Sequence, residues 1–200
     1  MSNSIAGICN QALGKIGISQ FIADLDTEQS NEARVCRVFY EVARDRVLSA
    51  MPWGFARRTA ALQDIGTPPA GWLYRYRYPN DCLKARKVIE TGATIEGLGA
   101  DYSIVEDEAS GGRAICSNTY PASLVYTARI VNVNLFTQAF IDTLSWSLAA
   151  DIAAPLSAAT GMSQAASQAY TAMLTQSGAA DMNEGKEQAA GDCELLTVRQ

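Results

Sequence analysis

Residues 32–58, EARVCRVFYEVARDRVLSAMPWGFARR, contain the point at which one periodicity gives way to another. Ala33, Cys36, Phe39, Tyr40, Ala43, Val47 and Leu48 recur at helical spacing, while Arg34, Arg37, Glu41, Arg44 and Asp45 fall on the opposite face, Arg37 and Glu41 forming an i, i+4 pair. Residues 24–27 supply cap candidates, with Asp26 and Gln29 at capping-box spacing, so a helix is expected from there to about Ala50. Pro52 ends it, because the residue before a proline is driven out of the helical region. Beyond Pro52 the 3.6-residue repeat is lost throughout residues 53–131.

Working outward, Ile5, Ile8, Cys9, Ala12, Leu13 and Ile16 predict a helix behind the cap candidates Ser2, Asn3 and Ser4, with Gly17 as its stop. Within 53–131, β-like stretches at 59–62, 73–78, 83–89, 100–105, 114–117 and 122–131 alternate with Gly, Pro and Asn punctuation, and the acidic EDEASGG run reads as an exposed hairpin tip. Helical spacing returns with Phe136, Phe140, Ile141, Leu144, Leu148, Ile152 and Leu156, broken near Pro155, and again with Met162, Ala165, Ala166, Ala169, Tyr170 and Met173. From Gly178 onward the chain is rich in Ala, Gly, Glu and Gln. The expected fold is therefore α+β: a four-helix bundle from residues 1–52 and 132–178, a small antiparallel β unit inserted at 53–131, and an extended C-terminal arm at 179–200.

Composition narrows the function. A chain of 200 residues buries roughly 70% of its unfolded surface and needs no staples to fold. Hydrophobic residues at 48% and charged residues at 18% exclude a disordered chain, and no run of about 18 apolar residues exists to span a bilayer. The opening MSNSIAGICN lacks a basic start leading into an apolar stretch, so the expected site of synthesis and default compartment is the cytoplasm. There is no histidine, which removes the commonest general base and zinc ligand together with every Ser/His or Cys/His nucleophilic pair. The five cysteines are scattered without a CxxC pair, and Cys9 and Cys36 read as small apolar core residues. Neither GxxxxGK[ST] nor GxGxxG occurs, and the successive carboxylates Glu106, Asp107 and Glu108 point in different directions on a turn. No catalytic residue, metal or cofactor is expected.

Charge is segregated. Residues 34–87 hold eleven Lys/Arg against four acids, and residues 90–108 hold six acids and no base. Opposite blocks of this kind steer and register contacts between copies of a chain. The candidate subunit interface is accordingly Arg57, Arg58, Arg75 and Arg77 of one copy against Glu106, Asp107 and Glu108 of the next. The Tyr74–Arg77 run and Arg57 and Arg58 beside Trp53 and Phe55 also have the basic and aromatic mixture of a nucleic-acid surface. Strand alternation instead puts Tyr74, Tyr76 and Tyr78 on one face, buried against the bundle, and Arg75 and Arg77 on the other.

Four stretches resemble the tail tubular protein A family of short-tailed phages, the head-to-tail adaptors beneath the portal: NQALGKIG (10–17), EARVCRVFYEVARDRVLSAMPWGFARR (32–58), GWLYRYRYPNDCLKARKV (71–88) and FTQAFIDTLSWSLAADIAAPL (136–156). The most specific parts are Pro52, Trp53, Phe55 and Ala56 closing the long helix, and Tyr78, Pro79, Asp81, Cys82 and Leu83 after a Gly-Trp. The resemblance implies a virion protein that forms a dodecameric ring. It docks on the portal protein above, receives the nozzle or tail tube below, and leaves a channel through which DNA passes without specific binding and with no membrane involved. It brings no catalytic residues. Locally, Trp53 and Phe55 are expected to wedge helices against sheet, and Leu195, Leu196, Thr197 and Val198 suit a portal-docking arm, adding as a short strand or filling an apolar groove. The rival class is a small DNA-binding regulator or phage enzyme, and the sequence pI near 4.8 counts against a regulator.

Overall fold

A computed structural model describes residues 4–93, 98–108, 110–156 and 158–184. Its elements in chain order are α1 (Ile5–Lys15), α2 (Asn31–Ala50), β1 (Arg57–Ala61), β2 (Tyr74–Arg77), β3 (Cys82–Glu90), β4 (Tyr102–Asp107), β5 (Gly112–Ser117), β6 (Ala122–Ala128), α3 (Gln138–Ile152) and α4 (Met162–Glu184). All strand pairing is antiparallel, in two three-stranded sheets ordered β1-β6-β3 and β2-β5-β4.

The helices begin where short polar side chains take up free N–H groups. Ser4 caps α1 by accepting from the Gly7 amide at 3.0 Å. For α2 the cap is Ser30, accepting from Ala33 at 3.2 Å, so the start expected at 24–27 is displaced. The cause is local. The Asp24 carboxylate is occupied by the Asp26 amide, Glu28 by the Ala23 amide and the Ser30 hydroxyl, and Arg37 donates to the Leu25 and Glu28 carbonyls. These bonds hold residues 24–28 as a turn, and Arg37 serves it instead of pairing with Glu41.

A four-helix bundle with a small β insertion is not what forms. The helices do not share one mutual seam: α1, α2 and α4 each pack on α3, which buries Phe140, Ile141, Leu144, Leu148 and Ile152 together with Thr143, Ser145 and Ser147. Two of its buried hydroxyls are satisfied one turn back, Thr143 on the Ala139 carbonyl and Ser145 on that of Ile141. The β part is also more than an appendage. Every position of β6 is buried, so both its faces are covered, and α2 lies against β3 and β6. Isolated bridges beside the strands link the two sheets. The Ala100 amide donates to the Val88 carbonyl at 2.7 Å, and on the other side Ile65 and Arg77 bond Arg75 and Gln63 at 2.8 and 2.9 Å. The strands thus remain two three-stranded sheets linked by single bridges through Asp64 and Ala100, and Leu124, Tyr126, Val88, Ala85, Tyr76 and Ile115 share a core with the helices.

Tyr76 is fully buried within this unit, its hydroxyl donating to the Thr119 carbonyl at 2.6 Å, and Tyr74 stacks on Tyr120. Cys9 and Cys36 are buried against each other between α1 and α2, and the Cys36 contact together with burial pushes the Cys9 thiol up. The helix α4 continues to Glu184, within the region read as an arm, while residues 185–200, including Leu195, Leu196, Thr197 and Val198, lie outside the described residues. Among the described residues no helix is long and apolar enough to cross a membrane.

The Tyr40 hydroxyl, in the core beside α1, has no hydrogen-bond partner among the described residues, and burial pushes its pKa up to about 12. Tyr40→Phe is therefore expected to stabilise the fold by up to about 1 kcal/mol, because an unsatisfied group is removed. Because the folded-state pKa lies above the unfolded one, the neutral phenol favours the folded state at neutral pH, and stability falls as pH rises from about 10 towards 12. The Phe variant loses that part of the alkaline sensitivity. Urea unfolding at neutral pH and at pH near 11 checks both, and equal alkaline losses in the two proteins would contradict the assignment.

Candidate assembly face

Because neighbouring strands run in opposite directions, the starts of β1, β3 and β5 and the ends of β4 and β6 gather at one end of the β unit. That end carries Arg57, Arg58, Asp81, Glu106, Asp107, Glu108, Arg113 and Arg129, with the β2–β3 turn (residues 78–81) and Arg77 at its margin.

The junction leading into it is aromatic. Pro52 is exposed, and Trp53 behind it is fully buried, its Nε1 donating to the Val47 carbonyl at 2.8 Å. The Trp53 ring meets Phe140 edge-on at 5.1 Å, and Phe55 lies 5.1 Å from Phe140 and 5.8 Å from Phe136. These rings lock the chain between α2 and β1 onto α3.

Arg86 of β3 secures the same junction from the sheet side. Its guanidinium donates to the carbonyls of Ser49 at 2.9 Å and Met51 at 2.6 Å and to the Thr127 hydroxyl at 2.9 Å. It therefore closes the C-terminus of α2, where the chain turns extended at Met51 and no left-handed glycine cap is present. Sequence reasoning passed over Arg86 because β3 carries register shifts at Cys82/Lys84 and Ala85/Lys87, which break the alternation that would have marked its face.

The predicted interface residues divide into two sets. Arg58 pairs with Asp81 at 2.5 Å, and Asp81 also accepts from the Tyr126 hydroxyl at 3.0 Å. Arg75 pairs with Asp107 at 2.6 Å, and the Ser110 hydroxyl donates to the same carboxylate at 2.5 Å. Arg58, Arg75 and Asp107 are thus engaged within the chain. By contrast Arg57, Arg77, Glu106 and Glu108 are exposed and take part in no ion pair among the described residues.

Between the start of β3 and the β4–β5 hairpin lies a cleft of about 400 Å³, lined by Arg77, Tyr78, Pro79, Asn80, Cys82, Asp107, Ser110, Gly112 and Arg113. The Arg113 guanidinium carbon lies over the Tyr78 ring, 4.2 Å from its centroid. Burial pushes the Tyr78 phenol up to about 12, so it is neutral at physiological pH. Asp107 is compensated by Arg75, which leaves Arg77 and Arg113 as a net positive lining. Arg113 follows directly on the Gly111-Gly112 turn and stands opposite Glu106 in the β4–β5 register, and its place over Tyr78 follows only from the folding of the β2–β3 turn across the hairpin.

Among the described residues no three His, Cys, Asp or Glu side chains are grouped so as to hold a metal ion. Glu106, Asp107 and Glu108 do not converge on a point: the first and last are exposed and the middle one is tied to Arg75. Compared with protein-family models and with curated proteins, the chain matches none. The arrangement combines an aromatic junction, exposed charges of both signs outside any ion pair among the described residues at one end, and a cleft lined by Arg77 and Arg113.

Proposed function

We propose that this chain is a structural head-to-tail adaptor of a short-tailed phage virion, forming a ring, with twelve copies by family resemblance, that joins the portal to the nozzle or tail tube around the DNA exit channel. The observation that supports this reading most is where the resembling residues sit. Trp53 and Phe55 build the aromatic junction with α3, Asp81 bonds Arg58 and Tyr126 beside it, and Tyr78 and Pro79 line the cleft next to the free charges. The four stretches also supply much of the core, but their most specific residues, Trp53, Phe55, Tyr78, Pro79 and Asp81, gather at or just behind this one face.

The face also suits a conduit better than a DNA reader. Its free cations are interrupted by Glu106 and Glu108, whereas affinity for a phosphate backbone grows with each phosphate neutralised by a continuous basic surface. The proposal is tested by sedimenting the purified chain with and without rings of its cognate portal protein: an adaptor co-sediments with them, and an enzyme or regulator does not.

A further inference from the structure

The geometry points to a specific head-to-tail contact: the cleft between Arg77 and Arg113 receives Glu90 and Asp101 of a second copy. This deepens the adaptor reading and rests on it for closure into a ring, though the contact between two copies stands on the following placement alone.

Two facts place the partners. The cleft opens at the end of the β unit where β3 and β5 begin, while Glu90 closes β3 and Asp101 precedes β4 at the opposite end. Both carboxylates are exposed and neither takes part in an ion pair among the described residues. A surface patch at one end and its complement at the other cannot meet within one molecule, but they meet between copies stacked end to end. Such a heterologous contact repeats and closes into a ring when its rotation allows.

The chemistry of the cleft favours carboxylates. Arg113, set over the Tyr78 ring, brings a guanidinium whose fork of donors matches a carboxylate, and Arg77 and Asn80 line the same cleft. Glu106, opposite Arg113 in the β4–β5 register, and Glu108 confine the positive potential to the cleft itself, which suits one or two discrete carboxylates better than a continuous polyanion. They lie at the cleft end themselves, so in this contact they form part of its rim. The acidic partner is the Glu90 and Asp101 end.

A charge swap tests the contact. The full chain is followed by sedimentation velocity up to millimolar concentration without portal, alongside R77E/R113E, E90K/D101K, their equimolar mixture and the combined variant. The wild type is expected to self-associate, each double variant alone to do so about a hundredfold more weakly, and the mixture and the combined variant to recover, since opposite charges again face each other. Near-native circular dichroism of E90K/D101K, altered only at exposed positions, separates lost contact from lost folding. A wild type that stays monomeric throughout, or a mixture that fails to recover, overturns the contact while leaving portal binding as a separate measurement. Unchanged self-association of R77E/R113E with loss of binding to a single-stranded oligonucleotide also overturns it, and assigns the cleft to phosphate.

Discussion

Arg86→Met is expected to lower the unfolding free energy by about 2–4 kcal/mol, because it strips the donors from the carbonyls of Ser49 and Met51 at once. Those carbonyls end α2 in a region covered by β3 and β6, where water replaces a lost partner poorly. The helix end also loses the positive charge that complements its dipole. Burial lowers the Arg86 pKa, so the site imposes a desolvation cost, but an arginine retains its charge across the accessible pH range. Arg86→Lys is expected to restore less than half of the loss, since one ammonium does not span two carbonyls and the Thr127 hydroxyl. Urea unfolding read as a midpoint shift at constant slope measures the effect. A loss below about 1 kcal/mol for the Met variant would show that α2 is closed by other means.

Trp53→Ala is expected to cost about 3–5 kcal/mol, the range for emptying a large aromatic site that cannot collapse. The site is rigid because Phe55, Phe136 and Phe140 pack against one another around it, with centroids 4.6 Å apart for Phe136 and Phe140. Trp53→Phe keeps most of the volume but leaves the Val47 carbonyl without its indole donor, so a loss of about 1–3 kcal/mol is expected. A double-mutant cycle between Trp53 and Phe140 should give a coupling of about 0.5–1.5 kcal/mol from their edge-to-face contact. Additive losses in that cycle would mean that the two rings stabilise the junction independently.

The strands were legible and their assembly was not. Each stretch read as β-like contains or overlaps an observed strand, because the turn residues around 66–69, 79–81 and 110–112 punctuate the chain at the right intervals. What the alternation could not reveal is that β6 is buried on both faces, since a uniformly apolar run gives no sign of which neighbours cover it. The bundle reading failed for a related reason. Amphipathic stripes show that helices have a buried face, but α3 is buried on several sides and its small hydroxyl residues, Thr143, Ser145 and Ser147, look polar in sequence. Thr143 and Ser145 satisfy their hydroxyls one turn back, Ser147 accepts from Arg46 of α2, and all three pack as small residues.

At the candidate face, Trp53, Phe55 and Asp81 were legible as a motif, whereas the partners of Arg58 and Arg75 were not. Arg58 and Asp81 are twenty-three positions apart and Arg75 and Asp107 thirty-two, and such pairings depend on strand register, which net charge by segment does not encode. Counting charges over segments therefore placed Asp107 with Glu106 and Glu108 as a free acidic patch, although it is already bonded to Arg75 and Ser110.

The adaptor assignment is tested most directly by mixing the full chain with purified cognate portal rings and examining the product by sedimentation and by electron microscopy. The expected result is a faster-sedimenting complex bearing an added coaxial layer of density on one face of the portal, with an open axial channel. A portal that sediments unchanged and shows bare faces at saturating concentrations of the folded chain would contradict the assignment.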